Sequence, residues 1–379
     1  MTIEVTGVST HNKGAELMLA AVRDHFQPHP DVRLVVDSQF GTYHERARYG
    51  LILKPTFPSW GRSRVAFSLM PPSFRKLAGL AAESDLDVLL DASGFAFGDQ
   101  HPAERSESFA DQVEAARKAG RKVVLLPQAL GPFRKERIRN AFKRIVRASH
   151  LVYAREEESL AHVREVVGDA PNVRLAPDFT VLVKPERTRT ELSDAACIVP
   201  NHRMVEKAKS PQAADAYRAL MVNCIRQVAE NGLRPVLLIH GRDDAELVNE
   251  IRAGVDREVQ VLHEEDAIAI KSILGAPRLV IGSRFHALVS ALSQGVPSIA
   301  TSWSHKYEML FREYGCEDMI LPVDATPERV AASVHAAVAN GREALVSRLQ
   351  AHRAEVIEQT NRMWAEVDEV LGLRPVEAP

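Results

Sequence analysis

Cysteine is scarce in this sequence. The three cysteines, Cys197, Cys224 and Cys316, are odd in number, far apart and outside any C-x-x-C spacing, which argues against a disulfide scaffold and against the usual thiolate metal and redox motifs. HExxH and clustered acidic ligands are missing too, so no metal is expected. No uncharged apolar run approaches the roughly 18 residues of a membrane-crossing helix. The opening residues, MTIEVTGVSTHNKGAE, show no basic segment leading into an apolar one, and the expectation is a cytoplasmic protein. A peripheral membrane contact stays compatible with that, because it needs no spanning helix. Excess charge of either sign is also lacking: 48 Lys and Arg against 50 Asp and Glu leave a formal net charge of −2. That balance argues against a nucleic-acid partner and for small molecules. Internal repeats and low-complexity tracts are not found.

What is there is globular: 379 residues, 45% apolar and 26% charged, long enough for two domains at roughly 150 residues each. Short β-branched runs alternate with amphipathic stretches throughout, the pattern of βαβ units with buried parallel strands. Strands are expected at 3–8, 32–37, 88–92, 123–127, 151–154 and 173–176, then at 196–199, 235–240, 260–263, 278–282, 297–301 and 319–323. The polar stretch VKPERTRTELSD between Leu182 and Ala195 reads as the linker. The expected organisation is an α/β domain over 1–185, a second over 195–340, and a C-terminal helix over 341–379, with the active site in the cleft between the domains. The stripe Val356, Thr360, Met363, Trp364, Val367 and Leu371 needs a partner surface, for which the N-terminal domain is preferred over a second subunit.

The most informative stretch runs from Ile281 to Pro297, reading strand, Gly-Ser turn, helix and Gly295 stop. In a parallel sheet such a turn, here Gly282 and Ser283, sits at the carboxyl edge where ligands bind, and the helix N-terminus offers free N–H groups. Arg284 and His286 fall in the first turn, placing a two-pronged cation and a group titrating near neutrality beside any docked anion. The plainer reading pairs Arg284 with a surface carboxylate and makes His286 a satisfied core or cap residue.

Five more candidate positions follow strands. Thr10 to Glu16 brings Asn12, a ligand contact or a helix cap, and Gly14, which permits close backbone approach; it is not the GxGxxG dinucleotide fingerprint. Leu126 to Phe133 presents Gln128 and Gly131 in a proline-bounded loop that turn chemistry alone also explains. Asp91 to Asp99 carries Ser93 and Gly94. Arg155, directly after a strand, is a second candidate anion grip, with pairing to Glu158 or Ser159 as the plain alternative. His240 and Asp244 occupy a further strand-to-helix turn, where His240 reads as site-lining and Asp243 or Asp244 as a helix cap. His11 and His202 lie in loops and stay open as acceptor contacts.

In this order the segments NKGAE, PQALGPF, AREEESL, APD, LLIHGRDD and GSRFHALVSALSQGVPSIATSWSHK, from about Gly7 to Lys306, resemble the polysaccharide pyruvyl transferase family. The family's Arg-Leu-His step is carried by Arg284, Phe285 and His286, with only the central residue different. The resemblance implies two Rossmann-like domains with parallel sheets facing across a cleft, as in GT-B glycosyltransferases, with the C-terminal helix crossing back. It also implies that Arg284 and Arg155 hold the carboxylate and phosphate of phosphoenolpyruvate, that His286 is the acid, and that Lys306 is a further phosphate contact. The family's glycine-rich loop is reduced here to Ala92-Ser93-Gly94. Phosphoenolpyruvate is then a co-substrate, no cofactor is needed, and the partner is a sugar of a cell-surface polysaccharide or of its lipid- or nucleotide-linked precursor.

Two other functions compete. A nucleotide-sugar glycosyltransferase or epimerase would share the fold. Such glycosyltransferases commonly carry an acidic residue just before a Gly-x-Pro turn, whereas this sequence has Gln294 before Gly295-Val296-Pro297. A non-catalytic sugar-binding protein is the third reading. Finally, Arg134 to Arg147 is basic on one helical face and apolar at Ile138, Phe142, Ile145 and Val146 on the other. A solvated outer face is the plainer account; attraction to anionic lipid at the inner membrane face is the sharper one. Oligomeric state is not written in the sequence.

Overall fold

The computed structural model describes residues 1–57, 66–67, 69–301, 305–339 and 341–374. The chain divides into two compact units, Met1–Phe179 with Gln359–Pro379, and Thr180–Glu358. In the first, β1 (Thr2–Thr6), β2 (Arg33–Asp37), β3 (Ile52–Lys54), β4 (Val88–Asp91), β5 (Lys122–Gln128), β6 (Leu151–Ala154) and β7 (Val173–Leu175) form one parallel sheet in the order β3-β2-β1-β4-β5-β6-β7. In the second, β8 (Ala195–Val199), β9 (Arg234–Ile239), β10 (Gln260–His263), β11 (Leu279–Gly282), β12 (Ser298–Thr301) and β13 (Ile320–Leu321) give β10-β9-β8-β11-β12-β13, again parallel. Every residue of β4 and of β11 is buried, as expected of strands covered by helices on both faces. Each sheet winds outward from its first strand and then restarts on that strand's other side. This creates a switch point between β1 and β4 and another between β8 and β11, where neighbouring loops part and leave a crevice at the carboxyl edge.

The local signals explain most of these elements. Asn12 caps the helix Lys13–Phe26 by accepting from Gly14 N at 2.9 Å and Ala15 N at 3.4 Å. The helix Pro211–Glu230 buries Ala214, Tyr217, Met221, Cys224, Ile225 and Val228, and Gly232 follows with φ +77°. Where the structure departs from expectation the causes are local. β1 stops at Thr6 because Gly7 turns the chain with φ +78°. β13 shrinks to Ile320–Leu321 because Met319 closes a 3-10 turn and Pro322 follows. β3 was not expected: it has three half-buried residues at the sheet edge. Within the polar stretch read as a linker, Leu192 joins the core of the second unit and Glu186 N donates to Ser272 Oγ at 3.0 Å.

One helix, Arg342–Leu371, starts in the second unit and ends in the first. Leu345, Leu349 and Val356 belong to the second unit's core. Further along, Trp364 stacks on His25 at 3.9 Å between ring centroids, and Glu366 accepts from Tyr153 Oη at 2.6 Å and Arg174 Nε at 2.8 Å. Thus the expected return of the C-terminal helix to the N-terminal domain is observed; residues 340 and 375–379 lie outside the described residues. In the helix Glu136–Ala148, Ile138, Phe142, Ile145 and Val146 are buried. On its basic face Arg137 pairs with Glu104 and Glu107, and Arg144 with Asp111 and Glu114, all on the helix Ala103–Lys118. Any anionic surface would compete with those carboxylates for the two arginines.

Candidate active site

In the second unit the chain leaves β11 at Ser283, which is fully buried. Its N–H donates to Val199 O at 3.1 Å. Its carbonyl accepts from Asn201 Nδ2 at 2.8 Å and from Tyr307 Oη at 2.6 Å. Its hydroxyl lies 2.8 Å from Tyr217 Oη and 2.5 Å from Thr301 Oγ1. Burial holds the Tyr217 phenol above its ordinary range, so it stays a neutral hydroxyl. Arg284 comes next, in extended backbone as the N-cap of the helix Phe285–Leu292 and without a capping side-chain bond. The N–H groups of that first turn therefore face the carboxyl edge with the positive end of the helix dipole.

The Arg284 guanidinium is gripped by Asp244, with Nε donating to Oδ2 at 3.0 Å and Nη2 to Oδ1. Asp244 is fully buried and also accepts from His202 N and Gly241 N, each at 2.9 Å. Only one edge of the guanidinium is used this way; Nη1 makes no hydrogen bond among the described residues. A Cβ on Gly241 would stand 3.2 Å from both Arg284 Nη2 and Asp244 Oδ2, so glycine there lets the pair close. His286 is half-buried in the first helical turn, its ring edge-on to Phe285 at 5.4 Å. Lys306 Nζ lies 5.7 Å from the centroid of that Phe285 ring and 5.1 Å from that of Tyr307, within cation–π range. Phe285 is thus the shared neighbour of the imidazole and the ammonium. His240, buried, follows the last residue of β9, Ile239, and directly precedes Gly241. Ser283, Arg284, His286, Lys306 and His240 are therefore gathered at one sheet edge.

In the first unit the expected residues follow β1, β4, β5 and β6, again at the carboxyl edge. Asp91, 1% exposed, is the hub: it accepts from Thr6 Oγ1 at 3.1 Å, Ser93 Oγ at 2.8 Å and Gln128 Nε2 at 2.7 Å. Burial pushes its carboxyl above the ordinary carboxylate value, and the three hydrogen bonds pull the other way. Gln128 Oε1 is buried with no hydrogen-bond partner among the described residues. Gly94 O accepts from Ala129 N at 3.1 Å, tying the two loops together. Gly131 has φ +90°, and a Cβ there would lie 2.7 Å from His162 Cβ. Arg155 is buried, with Nε 3.3 Å from Glu156 Oε2 and Nη1 3.4 Å from Asp178 Oδ2. Asn12 is exposed and engaged as a cap, and Gly14 is buried in the first turn of that helix.

Residues 12–305 match the family model for polysaccharide pyruvyl transferase. The chain belongs to that family. The family is one of transferases, and the Arg284-Phe285-His286 turn lies inside the match. Among solved structures this family member is similar to a putative UDP-N-acetylglucosamine 2-epimerase from Listeria monocytogenes, with TM-score 0.62, 12% identity, and 98% of this chain and 96% of that one covered. It is also similar to HepE from Anabaena, solved with UDP and glucose, with TM-score 0.60, 12% identity and coverage of 98% and 99%. The calicheamicin glycosyltransferase CalG4 gives TM-score 0.53, 12% identity and coverage of 100% and 99%. At such identities the likeness is one of fold, the two-domain GT-B-like architecture. No curated protein matches the sequence. Among the described residues of the transferase, no helix is long and apolar enough to cross a membrane, and no group of His, Cys, Asp or Glu is placed to hold a metal ion.

Several residues of this family member escaped the sequence reading as site residues. Asp91 was only the start of a loop and Asp244 only a helix cap, whereas each collects hydrogen bonds from loops after other strands. Asn201 and Tyr307 carried no signal. Tyr217 carried a weak one: a phenol inside an otherwise apolar stripe must find a partner for its hydroxyl once buried. Gly7 was noted only as the start of the resemblance, yet a Cβ there would fall 2.0 Å from Ser93 Oγ.

Proposed function

We propose that this transferase uses phosphoenolpyruvate to build a pyruvate ketal on a sugar of a cell-surface polysaccharide or of its lipid- or nucleotide-linked precursor. The observation carrying the proposal is the turn at β11. Arg284 keeps Nη1 available while Asp244 fixes its other edge, His286 stands one helical position beyond Phe285, and Lys306 borders the same Phe285 ring. A small dianion with a reactive methylene matches two cations, a helix N-terminus and one imidazole. Arg155, in the first unit, is assigned an anion contact by family resemblance.

Each step follows from the donor's chemistry. Imidazolium at His286 gives its proton to the donor's methylene carbon, making a methyl group and leaving positive charge on the adjacent carbon. A sugar hydroxyl bonds to that carbon, and its proton returns to the imidazole. A second hydroxyl of the same sugar then displaces phosphate, which leaves with the remaining proton. Arg284 and Lys306 stabilise the departing charge. Ser93, Gly94, Gln128, Gly131, Asn12 and Gly14 are the proposed sugar contacts of the first unit, and His240 and Ser283 complete the lining of the second.

The rival nucleotide-sugar reading draws on the fold neighbours. Against it stands Gln294, at the position before Gly295-Val296-Pro297. Its Nε2 is spent on Lys271 O at 2.7 Å and Ser290 O at 2.8 Å, which suits a helix stop better than a ribose contact. The test is incubation of the protein with phosphoenolpyruvate and a panel of lipid- and nucleotide-linked sugars. Phosphate release together with a pyruvate-sized mass gain on one sugar is expected, and phosphoenolpyruvate left intact across the panel would refute the proposal. His286→Ala should lower turnover by roughly a hundredfold or more while leaving the fold unchanged by circular dichroism.

A further inference from the structure

Ser283 is held more completely than a turn residue needs to be. Its N–H, both lone pairs of its carbonyl and its hydroxyl are bonded to residues of four separate elements: Val199 and Asn201 at the end of β8, Tyr217 on the helix Pro211–Glu230, Thr301 on β12, and Tyr307 on the helix His305–Glu313. The hydroxyls of Tyr217, Ser283 and Thr301 form a continuous chain. Asn201 N–H can only donate, and it does so to Tyr217 Oη at 3.0 Å. Tyr217 Oη and Ser283 Oγ are bonded in turn at 2.8 Å, and Ser283 Oγ and Thr301 Oγ1 at 2.5 Å. Hydroxyls bonded in such a chain polarise one another. The two donors on the Ser283 carbonyl, Asn201 Nδ2 and Tyr307 Oη, polarise the peptide whose N–H belongs to Arg284.

We propose that Tyr217 and Asn201 are positioning residues for the donor: through Ser283 they fix the turn that presents Arg284 and His286, and Asn201, together with Tyr307, strengthens its N–H toward an anion. The inference rests on the donor reading given above, yet its structural half stands apart from it. Phenylalanine would fill the Tyr217 site in the core equally well, and the hydroxyl is worth burying only for the bonds it makes.

The test compares Tyr217→Phe and Thr301→Val with Tyr153→Phe. The last removes a buried hydroxyl of the same kind, bonded to Glu366 at 2.6 Å in the first unit, and serves as the control for general loosening. Amide hydrogen exchange over residues 283–288 should quicken about tenfold in the first two variants, the scale of one lost buried hydrogen bond, and not in the control. The kcat/KM for phosphoenolpyruvate should fall about tenfold by the same measure, with the KM for the sugar unchanged. Unchanged exchange in 283–288, or a control that moves the donor parameters equally, would overturn the proposal. Should the wild-type protein fail to consume phosphoenolpyruvate with any sugar, the donor reading falls, and the exchange measurement alone then decides whether the lattice holds the turn.

Discussion

Asp244 and Arg284, forty residues apart, meet edge to edge: Arg284 Nε donates to Asp244 Oδ2 at 3.0 Å, with a second bond from Nη2 to Oδ1. The carboxylate has no exposed side-chain surface, whereas the arginine side chain keeps 22%. The acid is thus the fixed partner and the guanidinium the one that can also face a ligand.

Asp244→Asn removes the charge and turns an N–H₂ group toward groups that are themselves donors. Leaving such donors unmet in a buried site costs about 1–3 kcal/mol. Urea unfolding should show a loss of that size, and the KM for the donor should rise while that for the sugar stays put. Wild-type donor affinity in this variant would mean that Arg284 needs no help to hold its place.

Gly7→Ala separates two costs. A left-handed backbone at φ +78° penalises any side chain by about 1–2 kcal/mol, and the new methyl would lie 2.0 Å from Ser93 Oγ and 2.7 Å from Ser93 Cα. Gly120, at φ +80°, has nothing within 4 Å of a built Cβ. Gly120→Ala should therefore carry the backbone cost alone. The thermal midpoint should drop further for Gly7→Ala, and the difference between the two variants measures the Ser93 contact.

Asp91 predicts a direction of pH dependence. Burial raises its carboxyl above the ordinary 3.8, so the folded chain holds this proton more tightly than the unfolded chain does. Its contribution to stability is then complete below 3.8 and is lost as pH climbs through the raised value. Unfolding free energies measured from pH 3.5 upward should fall for the wild type relative to Asp91→Asn across that interval. A difference that grows in the wild type's favour would show that the bonds from Gln128, Ser93 and Thr6 outweigh burial.

Trp364 anchors the last turns of the C-terminal helix through its stack on His25 and its edge contacts with Phe26 and Phe179. Trp364→Ala should cost about 3–5 kcal/mol. Hydrogen exchange should quicken over 359–371, where the helix belongs to the first unit. The stretch 342–358, held by Leu345 and Leu349, should keep its protection.

Much of the fold was legible in local patterns. Parallel strands buried on both faces read as apolar runs, and Val88–Leu90 and Leu279–Ile281 announce themselves that way. Caps and stops such as Asn12, Asn231 with Gly232, and Thr326 with Pro327 bound their helices. Ile52–Lys54 was not legible, because three half-buried edge residues leave no period to read. In the candidate site, Ser283, Arg284 and His286 could be found because one strand-turn-helix unit carries all three.

Taken alone, then, the amino-acid order determined most of the segments that become strand and helix, that the sheets are parallel, and which turn brings an arginine and a histidine to a carboxyl edge. Backbone propensity and burial act over a few residues, so their record is local. Only the tertiary structure decided that Asp244 holds Arg284, that Asp91 gathers Thr6, Ser93 and Gln128, and that Asn201 and Tyr217 brace Ser283. Those bonds join loops that follow different strands, and which loops become neighbours depends on strand order, which places β4 beside β1 and β11 beside β8.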